Sequence, residues 1–159
     1  MDNYTLQKYK YNGARALVLL HEKHLKILLQ TWREAKRANI KLPETEDQDY
    51  QSLETLLFHI FRAARGYMTW MCEKLDLPEP GINHPPDMQV IEQEADTYLD
   101  HLLEKWRTPL VDVEPEKFET KTFPSRWGTE YCIDAMLEHA VMHPIRHEFQ
   151  LRNLINEQK

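Results

Sequence analysis

Apolar residues recur at steps of three and four through most of this chain, a period that belongs to helices and not to strands. Between about residues 7 and 38, Leu17, Leu25, Leu28 and Trp32 fall on one stripe, with Glu, Lys and Arg opposite. Pro43 and the acidic stretch 44–49 end that segment. From about 49 to 75 the stripe is Leu53, Leu56, Ile60, Ala63, Tyr67 and Met71, until Pro78 and a Pro/Gly segment stop it. A third segment, about 87 to 107, carries Ile91, Tyr98, Leu99, Leu102 and Trp106, with Asp87 placed to cap its start. Residues 108–128 hold no sustained period and predict a long irregular connection. A fourth helix, about 129 to 156, has Ile133, Met136, Ala140, Leu151 and Leu154 on its stripe. The pattern predicts an all-α, up-down-type four-helix bundle, with 1–159 as a single domain. Its long connection before the last helix is of the kind that forms lids or pocket walls.

Composition narrows the function. The chain has a net charge of −6 and no basic cluster, so it lacks the Lys/Arg footprint that phosphate neutralisation needs, and no nucleic-acid partner is expected. The longest aliphatic run, Ala16 to Leu20, is far short of the roughly 20 residues of a membrane span. The polar opening has no apolar core of a secretory signal. Two cysteines, Cys72 and Cys132, are too few for a disulfide framework, and the expected setting is the reducing cytoplasm.

The histidines are the candidate chemistry. At about 100° per residue, His143 and His147 lie within about 40° of each other on the last helix, in the middle of its apolar stripe. Two imidazoles placed so must find partners, because an unsatisfied buried polar group costs about 1–3 kcal/mol. One divalent metal satisfies both. A third ligand should come from a facing helix, and His59 is the sole histidine of the second helix, at the edge of its stripe. Ala63 and Gly66, one and two turns on, would leave room beside the ion for a bound molecule. Three neutral histidines leave open coordination positions, the arrangement of catalytic metal sites. Zinc or nickel is the expected ion, with iron or manganese as alternatives.

Other metal and nucleotide motifs are excluded by inspection. Neither histidine pair of the last helix has Glu directly after its first His, so the HExxH arrangement is absent. No Glu stands three residues before any His, which removes the paired Glu-x-x-His of di-iron bundles. There is no Gly-rich phosphate loop. Of the remaining histidines, His21 sits centrally on the first helix's stripe and is either a pocket contact or a hydrogen-bonded core residue. His139 and Gln150 flank the ligand pair by one turn and are placed to line the pocket or support the ligands. His84 and His101 earn no role, Cys72 faces away from its stripe, Tyr67 and Trp70 read as core, and the acidic run 44–49 reads as solvated surface.

With these residues in hand, the sequence resembles the DinB/YfiT-like superfamily, four-helix bundles with a His-triad metal site. The likeness rests on His59 within Leu56-Leu-Phe-His59-Ile, and on His139-Ala-Val-Met-His143-Pro-Ile-Arg-His147-Glu-Phe-Gln150. Arg126-Trp127-Gly128-Thr129 and Tyr11-Asn12 are weaker echoes. The resemblance implies His59, His143 and His147 as the ligands, the same three that spacing selects. Glu148 and Phe149 replace the Arg and Gly common after the last ligand in the family. Pro144, between the two ligands, removes a helix hydrogen bond to Ala140 and predicts a kink.

The resemblance implies a metal-dependent thiol S-transferase or hydrolase acting on small electrophiles, with a small-molecule substrate and a low-molecular-weight thiol as partners. A homodimer is compatible with such a bundle. The rival readings are a non-catalytic metal or small-ligand binding stress protein, and an interaction bundle whose histidines are core residues.

Overall fold

The computed structural model describes residues 6–159. Four helices account for most of them: α1 (Asn12–Arg37), α2 (Leu53–Lys74), α3 (Ile91–Trp106) and α4 (Ile133–Glu157). The fold is all-α, with one strand pair of two residues each, β1 (Phe123–Pro124) and β2 (Glu130–Tyr131). Among the described residues no helix is long and apolar enough to cross a membrane.

Local chemistry sets the helix starts. Ser52 and Thr55 form a reciprocal capping box that opens α2. Cys132 opens α4, its Sγ accepting from the Ala135 amide at 3.4 Å. Asp87 does not cap α3, which begins only at Ile91 after a turn closed by Val90 N–H on the Asp87 carbonyl. The first helix also starts later than its apolar pattern predicts. Leu6 and Tyr9 are buried, but in a non-helical segment docked on the chain after α3. Lys10 N–H donates to the Val111 carbonyl at 3.0 Å and Tyr9 Oη to the Arg107 carbonyl at 2.5 Å. Both side chains turn inward without a helix to place them.

Contacts between helix ends give the directions. The end of α1 meets the start of α2, where Trp32 Nε1 donates to the Leu53 carbonyl at 2.6 Å and Lys36 pairs with Glu54. Arg33 pairs with Asp96 near the start of α3, while His21 stacks on Trp106 at its end, so α3 also runs against α1. Arg152 pairs with Glu34 at 2.6 Å and Gln158 bonds Lys41, so α4 runs with α1. The order is up, down, down, up, which breaks simple alternation once, between the parallel α2 and α3. A return along about 33 Å of α2 is then required, at 1.5 Å per residue. The Pro-rich connection after α2 is extended and long enough to make it. It is tied down by Arg65 Nε on the Ile82 carbonyl (2.8 Å) and by Tyr98 Oη on the Asn83 carbonyl (2.8 Å). His101 Nε2 accepts from the Asn83 amide at 2.9 Å, a structural use for a histidine that the sequence left without one.

Trp32 and Trp106 are fully buried, and each directs its indole N–H to an α2 carbonyl, Leu53 and Ala64. Cys72 is buried in the same core, contrary to its position off the α2 stripe, because α2 packs against both α3 and α4 and so buries two faces.

Candidate metal centre

The site forms where α2 runs antiparallel to α4. His59 reaches across from α2, and His143 and His147 project from successive turns of α4. His143 and His147 are 5% and 4% exposed. The three rings converge through their outer nitrogens. His59 Nε2 is 3.0 Å from His143 Nε2, and His147 Nε2 is 3.3 Å from it. One donor atom from each of the three lies within 4.8 Å of the others, close enough to hold a metal ion. Nitrogens bonded to one ion at about 2.0–2.1 Å stand roughly 3.3 Å apart at a tetrahedral angle and roughly 2.9 Å at a right angle. The two separations from His143 Nε2 match that range.

The opposite ring atoms explain why a cation fits better than hydrogen bonds alone. Asp49 Oδ2 lies 3.0 Å from His59 Nδ1, at ion-pair distance though too oblique for a well-directed hydrogen bond. A carboxylate only accepts, so it favours the proton on Nδ1 and leaves the Nε2 lone pair facing inward. Gln150 Oε1 does the same for His147 Nδ1 at 3.1 Å. Two lone pairs therefore point at His143 Nε2, and one N–H there could satisfy only one of them well. A cation accepts all three.

Electrostatics keep the rings in the metal-binding form. Burial, reinforced by His147 and His59, pushes His143 down to about 2. Burial pushes His147 down to about 4. Burial also lowers His59, with Asp49 pulling against it. All three are neutral at physiological pH. Pro144 leaves α4 helical from Ile133 to Glu157, and the one-turn ligand spacing survives.

Beside the triad lies a cavity of about 480 Å³, within the usual size of small-molecule sites. Ala63, Gly66, His139 and Gln150 line it. Tyr67 and Trp70 are core residues, as expected, and also reach the cavity wall. Gly66 lines the cavity as its size suggests, and its missing side chain also makes room for Arg126. A Cβ there would sit 3.2 Å from Arg126 Nη1, so the guanidinium, reaching over from the long connection, takes the space. His21 is not on the cavity wall. It is buried against Trp106, with ring centroids 3.6 Å apart, because its face of α1 turns to α3.

Several contributors, Asp49, Arg126 and Trp127 among them, were not evident as site residues from the sequence. Asp49, read as solvated surface, is brought to His59 by the 3-10 turn Gln48–Tyr50, and it also holds Arg62 through both oxygens at 3.1 Å. Arg126 and Trp127 enter the wall from the turn between β1 and β2, closed by Ser125 N–H on the Thr129 carbonyl (2.8 Å) with Gly128 at φ 92°. Trp127, 51% exposed, packs on His139 at 5.2 Å.

Removing the carboxylate next to a metal-bound histidine typically weakens affinity 10- to 100-fold. Asp49→Ala should weaken zinc binding by about that factor in a competition titration against a chelating dye, whereas Glu46→Ala, in the same acidic run, should leave it unchanged. Equal affinities for Asp49→Ala and wild type would exclude the orienting role. No family model, curated protein or solved structure matches this chain.

Proposed function

We propose that the protein is a mononuclear divalent-metal enzyme, a thiol S-transferase or hydrolase acting on small electrophiles, related in design to the DinB/YfiT-like superfamily. The observation that carries this reading is the convergence of three neutral imidazoles on one point beside a ligand-sized cavity. A divalent ion there, zinc or nickel by its donor set, supplies Lewis acidity and lowers the pKa of a coordinated thiol or water. The chain's own residues do the rest. His59, His143 and His147 would hold the ion, beside the cavity that they also line. Tyr67, whose burial pushes its phenol up to about 12, stays protonated and can donate a hydrogen bond into the cavity. His139, held below its ordinary pKa by burial and then by Arg146, is neutral and can accept a proton. Cys72 and Cys132 are both free, in keeping with a reducing cytoplasm as the place of action.

The test is a turnover assay on zinc-loaded and nickel-loaded protein. A low-molecular-weight thiol with a chlorodinitrobenzene tests transfer, and a nitrophenyl ester tests hydrolysis. Turnover that is lost on chelation and restored by the metal is the expected result. Rates no higher than those of the chelated protein, with one ion bound per chain, would instead establish a non-catalytic metal-binding protein.

A further inference from the structure

The cavity inverts the charge of the molecule around it. The chain has 26 acidic and 20 basic residues, yet the cavity wall carries three arginines and no carboxylate. Arg62 is neutralised by Asp49. Arg126 and Arg146 are exposed, and among the described residues neither has an ion pair or hydrogen bond. They approach from different elements. Arg126 crosses the α2 side over Gly66, and Arg146 stands on α4 between the two ligands of that helix. Two exposed, unpaired guanidiniums on one concave wall leave like charge there that a bound anion would offset.

We infer that the cavity binds a small organic anion, its carboxylate or phosphate group held by Arg126 and Arg146 and its apolar body against Trp127 and Tyr67. Guanidinium groups suit this task, since their paired N–H donors match the oxygens of either anion. The aromatic side chains supply a flat apolar surface beside them. This inference rests on the proposed metal chemistry for which end of the anion reacts, but not for its binding.

Isothermal titration with phenyl phosphate, benzoate and the neutral benzyl alcohol tests it, on zinc-loaded and on chelated protein. Both anions, or one of them, should bind at least about ten-fold more tightly than the alcohol, and added salt should weaken them. The stronger of the two identifies the headgroup. Arg126→Gln and Arg146→Gln should each weaken the anion by about ten-fold or more while zinc stoichiometry stays at the wild-type value. Lys117→Gln, away from the cavity, should change nothing. Benzyl alcohol binding as well as the anions, or the Arg126→Gln/Arg146→Gln double variant keeping wild-type affinity, would overturn the inference. Arginine-dependent anion binding by a protein that takes up no metal would uphold it and sink the metal reading. Zinc uptake without anion preference would do the reverse.

Discussion

Zinc at a thousandfold excess over its Kd should raise the melting temperature of the wild-type protein by about 8–16 °C, and His143→Ala should abolish the rise. The magnitude follows from mass action. A ligand that binds only the native state at that excess stabilises it by about 4 kcal/mol, and each kcal/mol moves the midpoint of a domain this size by about 2–4 °C. His143 is the residue to remove because its Nε2 lies next to both other ligand nitrogens, at 3.0 and 3.3 Å. Its loss leaves His59 and His147 without their shared neighbour. The comparison is made between zinc-loaded and chelated samples of the same protein, so the cost of the substitution itself cancels. Calorimetry with metal analysis on tag-free protein checks it, and an equal rise in the variant would mean that the ion sits elsewhere.

Leucine in place of His21 should stabilise the chelated protein by about 1 kcal/mol at pH 7, and by about 2 kcal/mol more at pH 5. The first part arises because neither His21 ring nitrogen meets a hydrogen-bond partner among the described residues, although the side chain is buried. A buried group in that condition costs about 1–3 kcal/mol, of which the ring stack on Trp106 returns part. The second part is proton linkage. Burial lowers the His21 pKa from 6.5 to about 3. The unfolded chain therefore takes up the proton first as pH falls. The contribution of neutral His21 is complete above pH 6.5 and is lost downward toward about 3, at up to about 1.4 kcal/mol per pH unit. Urea midpoints between pH 7 and 5 should fall more steeply for wild type than for His21→Leu, since every other titrating group is common to both. Parallel curves would show that His21 is not held neutral by its surroundings.

The parts of this molecule that were legible in its sequence are those with a helical period. The four helices follow from stripes such as Leu53, Leu56, Ile60 and Met71, all of which are buried. The triad follows from the same geometry, because His143 and His147 one turn apart in an apolar stripe cannot both be idle. What periodicity cannot convey is which element a stripe faces. His21 is as central to its stripe as expected, but that stripe turns to Trp106 and not to the cavity. Helix direction was hidden for a related reason, since the reversal of order lies in where the extended Pro-rich connection is pinned, at Ile82 and Asn83. Asp49, Arg126 and Trp127 reach the site from short irregular segments. An acidic run and an Arg-Trp pair in such segments look the same whether they face water or a pocket.

His59 and His143 stand 84 positions apart in the chain. An ion shared by them would close a loop of that length and tie the second quarter of the molecule to the last, restricting the unfolded chain as a cross-link does. In a protein whose two cysteines are free, that clasp would open to a chelator and ignore a reductant.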